Sequence, residues 1–331
     1  MKRYFFFTIF SLCFFLTGIL FQRYGIYGLI INPLIKNPSK RITQIISSRN
    51  EKVELLKFVI DNKNLEKLDN TIDLAKKYGR GYRTHENNPG YLDCKIHFDN
   101  KNYKSKFKLK GGGSSHYQND ENKISFKVKI KDSLILGMSK FSISSPRNRM
   151  FLNEWIFHEL NRTQNVITPF YDFIDVEING DNKGIYCIEE QFTEELLLKN
   201  NRAPGIIFRF NPDFIWKENI SCIITPENKD IFQRSEIECY QEEKIINESE
   251  NQFEELIIKI NKFRKGLIRT NQLFEVDKLA SFISVVDLLG SAHGLGLWNV
   301  RFYYNPVSKL IEPIGYDQNI ISYKKSDSFG F

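Results

Sequence analysis

The chain has 331 residues, 41% hydrophobic and 26% charged, a globular composition with room for one two-lobed domain or two small ones and not that of a disordered protein. Its net charge of +7 is dispersed, since the lysines mostly neighbour Asp, Glu or Asn, and no basic run marks a nucleic-acid binder. Five cysteines (Cys13, Cys94, Cys187, Cys222, Cys239) show neither CxxC nor Cys/His spacing, which argues against a structural zinc; Cys222 and Cys239 are the candidate disulfide pair of an exported body, and Cys187 reads as a small buried residue in a strand.

Lys2 and Arg3 precede an uncharged run, Tyr4 to Phe21, rich in Phe, Leu and Ile. The run exceeds a signal-peptide core and no small-x-small site follows it, so residues 1–23 are expected to be an uncleaved signal anchor that holds the membrane through residues 4–21. Arg23, Lys36, Lys40 and Arg41 after the span oppose export by the positive-inside rule, whereas a short basic segment ahead of an apolar core is how export signals begin; the body is expected outside the cytoplasm. Residues 24–85 form a juxtamembrane and helical lead-in, with Val53, Leu56, Ile60, Leu65, Leu68, Ile72 and Ala75 spaced as a helix pair over Glu51 to Tyr78.

Strands follow at Tyr91–Phe98 and Tyr103–Leu109 around an Asp99-Asn100-Lys101-Asn102 turn. Lys110-Gly111-Gly112-Gly113-Ser114-Ser115 opens a flexible loop, and Ile124 to Ile130 alternates apolar residues with Lys123, Ser125, Lys127 and Lys129, so ammonium groups share one face. A helix over Arg149 to Leu160 presents Phe151, Leu152, Trp155, Ile156 and Leu160 as its apolar face and sets Glu154 and His158 one turn apart on another. Asp172–Ile178, an Asn179-Gly180 turn and Gly184–Ile188 make a hairpin, with Glu189 and Glu190 directly after it. Pro204 to Glu250 reads as a loop-heavy insertion. Amphipathic helices at Glu254–Leu267 and Val276–Leu289 lead through a Gly-punctuated loop to Asn299. There a last hairpin, Val300–Tyr304 and Leu310–Tyr316, brings Asn299 and Asp317 to its open end, an oxygen pair suited to a hard cation such as Mg²⁺.

The order of parts is strand, Gly-rich turn, Lys-bearing strand, helix with a Glu, hairpin, acidic connector, helices, loop with Asn, hairpin and Asp, which is the order in a protein-kinase-like phosphotransferase. Lys108-Leu-Lys-Gly-Gly-Gly-Ser-Ser with Lys123-Ile-Ser-Phe-Lys-Val-Lys, Leu136-Gly-Met-Ser-Lys-Phe-Ser-Ile, Ile178-Asn-Gly-Asp-Asn-Lys-Gly-Ile-Tyr-Cys-Ile-Glu-Glu, and Trp298-Asn-Val-Arg-Phe-Tyr-Tyr through Ile314-Gly-Tyr-Asp317 resemble the spore coat protein H (CotH) kinase family. The resemblance, over roughly residues 90 to 320, implies an α+β, protein-kinase-like two-lobed fold behind the anchor: a β-rich N-lobe over about 86–190 and a helical C-lobe with the metal-site hairpin over about 191–331. It also implies ATP with Mg²⁺ or Mn²⁺, and phosphorylation of a protein substrate or surface-layer component at Ser or Thr.

Carried onto this sequence, Gly111, Gly112 and Gly113 border the phosphates, Lys123 or Lys127 contacts them, and Glu154 is placed to pair with that lysine. Glu189 or Glu190 borders the adenine, and Asn299 and Asp317 take the metal. One position departs from the pattern: the catalytic Asp expected five residues before Asn299 is Gly294, which leaves His293 and Asp287 as the ionisable candidates for a general base. Two other functions stay open at this point, a nucleotide-binding pseudokinase scaffold and an envelope binding protein without nucleotide.

Overall fold

The structure is a computed structural model and describes residues 53–318 apart from 112, 119–121, 212–213, 215–229, 241–249, 291 and 298. The anchor run and Cys222 lie outside the described residues, and among those described no helix is long and apolar enough to cross a membrane.

Seven strands close into a barrel: β1 (Leu55–Val59), β2 (Leu92–Phe98), β3 (Lys101–Leu109), β4 (Phe126–Ile130), β5 (Lys140–Ser144), β6 (Tyr171–Ile178) and β7 (Asp181–Glu190), in the order β1-β2-β3-β4-β5-β7-β6. The expected helix pair over Glu51–Tyr78 is therefore corrected. Only α1 (Asn62–Tyr78) is helical, and Leu55–Val59 is a strand that pairs antiparallel with β2 and parallel with β6. Val53, Leu56 and Ile60 have helical spacing, but Leu56 and Phe58 alternate inward and fill the barrel. Asp61 caps α1 by accepting from the Asn64 N–H at 2.7 Å.

Turn chemistry sets the register. Asp99 and Asn100 have φ of 47° and 57°, and Asn179 and Gly180 have 51° and 87°, so both hairpins close with two left-handed residues, matching strand twist. Asn179 also clasps β1, its Nδ2 donating to the Ile60 carbonyl and its Oδ1 accepting from the Ile60 N–H, each at 2.8 Å.

A second, four-stranded sheet has the order β11-β10-β8-β9, with β8 (Ile206–Asn211), β9 (Glu236–Cys239), β10 (Arg301–Tyr304) and β11 (Ile311–Ile314). Here too an expectation is corrected, because the loop-heavy insertion contains β8, an inner strand whose Ile206, Ile207, Phe208 and Phe210 are buried. Around this sheet pack α2 (Asn153–Thr163), α3 (Glu194–Lys199), α4 (Ile231–Arg234), α5 (Glu250–Arg264), α6 (Thr270–Leu273) and α7 (Val276–Leu288). The result is a mixed α+β protein with one core in the barrel, another between α2, α5, α7 and the second sheet, and a smaller one between α3 and that sheet.

The helix expected over Arg149–Leu160 begins as a 3₁₀ turn, Pro146–Arg149, and becomes α2 at Asn153. Its orientation overturns the amphipathic reading. Glu154, Phe157, His158 and Asn161 are the buried face, while Phe151, Leu152, Trp155 and Ile156 are exposed. Burying Glu154, His158 and Asn161 carries a solvation cost that partners in the interior have to offset.

Candidate active site

Strand register lays one row of polar side chains across the outer face of the barrel sheet. Lys108 lies opposite Lys127, Lys127 opposite Ser142, Ser142 opposite Glu189, and Glu189 opposite Tyr171. These residues alternate with Phe107, Phe126, Val128, Phe141, Ile143 and Ile188 of the core, which is why they share a face. Lys110, just past β3, enters the row from above. Its Nζ donates to Glu189 Oε2 and to Ser142 Oγ, both at 2.8 Å, and the ion pair is buried on both sides. Burial alone would raise the Glu189 carboxyl, but Lys110 and Arg149 outweigh it and hold the group down at about 2. In the same row, burial and the neighbouring Lys110, Lys108 and Arg83 push the Lys127 ammonium down to about 7.

These facts redraw the expected lysine–glutamate pair. The buried pair is Lys110–Glu189, not Glu154 with Lys123 or Lys127. Lys123 donates to the Ile185 carbonyl at 3.0 Å and lies over the Tyr186 ring. Glu189 and Glu190 are the last residues of β7 and do not form an open connector after it. Glu190 turns away from Lys110 and accepts from the Phe170 N–H at 3.0 Å and the Lys199 ammonium at 2.9 Å. Lys110 was hidden because its partner is far away in sequence. The available signal was that the alternation Lys104, Lys106, Lys108 runs on to Lys110 at the mouth of the Gly loop.

The Gly loop folds onto this row. Gly111 has φ of 76°, and a Cβ there would overlap the His116 ring. The Tyr82 hydroxyl donates to the Gly111 carbonyl at 2.6 Å and fixes the loop's start. Gly112 lies outside the described residues, and Gly113 leads into the 3₁₀ turn Ser114–His116. Burial and the nearby Lys110 and Arg149 push the His116 imidazole down to about 3, so it sits there neutral.

The hairpin β10–β11 comes in from the opposite side. Its register, Arg301 opposite Ile314, carried two residues outward puts Asn299 opposite Tyr316, beside Asp317. Asn299 Nδ2 donates to the His293 carbonyl at 3.0 Å, and His293 Nε2 stands 3.7 Å from Asp317 Oδ2. The Arg301 guanidinium lies over Phe192, Tyr240 and Tyr316, with centroids 5.7, 5.5 and 5.4 Å away, and anchors the ring next to Asp317. Asp287 is exposed on the last turn of α7, and no described contact joins it to this group. Gly294 is buried, and a Cβ there would overlap the carboxamide of Gln318.

Arg149 ties the two sides together by pairing with Asp317 Oδ1. Burial opposes its charge, yet Asp317, Glu154 and Glu189 keep the guanidinium firmly ionised. Asp317 is the carboxylate in contact with this cation, and Glu154 and Glu189 add to the field that keeps it charged. Glu154 Oε2 accepts the Gln318 N–H at 2.9 Å, so α2 also grips the chain just after Asp317.

The chain matches no curated protein. A model of the family described as CotH kinase protein matches residues 107–321, from inside β3 through the β10–β11 hairpin and Asp317, and the chain therefore belongs to the CotH kinase family.

Proposed function

We propose that this chain is an atypical kinase with a two-lobed, kinase-like fold, which transfers the γ-phosphoryl group of ATP to Ser or Thr hydroxyls of a protein at the cell envelope. In this reading residues 4–21 anchor it and the body faces away from the cytoplasm. The observation that carries the reading is the Arg149–Asp317 ion pair beside the buried Lys110–Glu189 pair, between the lysine row of the barrel and the hairpin of the second sheet. Charged groups of both signs gathered in a partly buried place with perturbed pKa values are a mark of functional sites, which supports this reading.

The residues present fit a nucleotide and a divalent ion. Asp317 and Asn299 offer oxygens, Lys110 and Lys127 offer positive charge, and Gly111 and Gly113 offer backbone N–H groups. Bound ATP supplies the phosphoryl group, and the ion offsets its charge. Lys110 is held in place by Glu189 and Ser142 and orients the phosphates. Asp317 and Asn299 would hold the ion. His293, partly exposed and 3.7 Å from Asp317, takes the proton from the substrate hydroxyl.

A second reading, a nucleotide-binding scaffold without turnover, is favoured by one feature: the carboxamide of Gln318 fills the space over Gly294, where a kinase keeps its catalytic carboxylate. One assay separates the two. Full-length chain is given γ-labelled ATP with Mg²⁺ or Mn²⁺, beside Asp317→Ala and His293→Ala, and both nucleotide binding and label transfer are measured. Transfer above the Asp317→Ala background supports the kinase. Binding with no transfer above it leaves the scaffold.

A further inference from the structure

Behind Asp317, α2 and β7 bring together Glu154, His158 and Glu189, all buried, with one ligand atom from each lying within 4.8 Å of the others. The spacing of Glu154 and His158 places both on the inner face of the helix, and His158 Nε2 lies 3.4 Å from Glu154 Oε1. Glu154 Oε1, His158 Nε2 and Glu189 Oε1 have no hydrogen-bond partner among the described residues, although each residue is almost wholly inaccessible to water. An unsatisfied buried polar atom costs about 1–3 kcal/mol, and three that face one another call for a shared partner.

From this geometry we infer a second metal site, distinct from Asp317 and Asn299, in which Glu154, His158 and Glu189 hold one first-row transition ion, Zn²⁺ or Mn²⁺. Two donors at about 2.1 Å from a tetrahedral ion lie about 3.4 Å apart. The second layer is also in place. His158 Nδ1 lies against Thr168 Oγ1; when it donates to that oxygen, the Nε2 lone pair points at the two carboxylates. The ring is further held by stacking on Tyr171, centroid to centroid at 5.2 Å. The outer oxygens of both carboxylates are satisfied separately, Glu154 Oε2 by the Gln318 N–H and Glu189 Oε2 by Lys110 and Ser142. One imidazole and two carboxylates in a dry pocket disfavour Mg²⁺, which wants six oxygens and keeps its waters, and suit a transition ion. Such an ion would lock α2 to β7 and, through Gln318, set the position of Asp317.

The test uses full-length chain without nucleotide, so that it stands apart from phosphoryl transfer. Metal-depleted protein is dialysed against Zn²⁺ or Mn²⁺ alone, and retained metal is measured by elemental analysis. Wild type is expected to retain about one ion per chain. Glu154→Gln and His158→Gln should each weaken retention more than about tenfold, and Thr168→Val about tenfold, while Asp317→Asn keeps the ion. Pulsed EPR of the Mn²⁺ form should show nitrogen coupling that His158→Gln removes. Wild type that retains neither ion, or a folded Glu154→Gln that binds as wild type does, overturns the site. Should His158→Gln not fold, Glu154→Gln and Thr168→Val decide the matter.

Discussion

Arg149, at the end of the 3₁₀ turn before α2, forms a half-buried ion pair with Asp317, the residue that follows β11 by three positions. The guanidinium charge offsets that of Asp317 directly and is favoured by the more distant Glu154 and Glu189. Removing one partner of a fully buried pair costs about 3–5 kcal/mol, and of this half-buried one less. Arg149→Gln should therefore lower the melting temperature in chelator and recover part of the loss in millimolar Mn²⁺, as a metal takes over the neutralising role. Thermal melts with and without Mn²⁺ check this; a variant as stable as wild type in chelator would show that the pair contributes nothing.

Lys110 and Glu189 form a fully buried pair, 2.8 Å apart. Lys110→Met leaves a buried carboxylate and Glu189→Met a buried ammonium, so each single change should cost about 3–5 kcal/mol, whereas the double change should cost far less than the sum. Urea unfolding of the four proteins measures the coupling. All three variants should lose ATP binding, since without the pair the row loses its oriented cation.

Lys127 gives a pH signature. Its pKa falls from 10.5 to about 7 on folding, through burial and then Lys110, Lys108 and Arg83, opposed by Glu189. Between pH 10.5 and 7 the unfolded chain holds more protons there than the folded one, so this group's contribution to stability declines as pH falls through that window and is constant below it. A bound polyphosphate favours the charged form, so ATP binding near pH 8 should take up a proton. Calorimetry in two buffers of different ionisation enthalpy reads that proton, and Lys127→Met should abolish the difference. Identical heats for the wild type would remove Lys127 from the phosphate site.

Gly294 offers a gain-of-function test. Gly294→Asp alone meets the Gln318 carboxamide, but Gly294→Asp with Gln318→Ala makes room for a carboxylate five residues before Asn299. A well-placed general base is worth about 10²–10⁴-fold, so the double variant should transfer phosphate at least about tenfold faster than wild type. No gain would mean that His293 already serves, or that the loop does not face the substrate hydroxyl.

The parts of the fold that were legible in the sequence are those whose causes are local. The hairpins at Asp99-Asn100 and Asn179-Gly180 carry their own turn chemistry, and the Asn299–Asp317 unit closes on itself. β1 was obscured because Leu56 and Ile60 fit a helical period as well as a strand, and only pairing with β2 and β6 decides between them. β8 lies in polar, turn-rich sequence and owes its place to β10, about a hundred residues on. The inward turn of Glu154 and His158 ran against the hydrophobic pattern of α2, because exposed Phe151, Leu152, Trp155 and Ile156 gave the stronger periodic signal. Among the site residues, Asn299 and Asp317 could be read from one hairpin, whereas Lys110–Glu189 needed the register of β3, β4, β5 and β7 together.

The closure of the barrel by β1 bears on how the protein can be cut. The family match begins at residue 107, inside β3, so a fragment trimmed to it would lose β1, β2 and most of β3. β4 and β6 would then each present a row of unpaired N–H and C=O groups, a template for chain-to-chain aggregation. A fragment that keeps the barrel closed has to start ahead of Leu55, and its N-terminal border is set by strand pairing across the whole barrel.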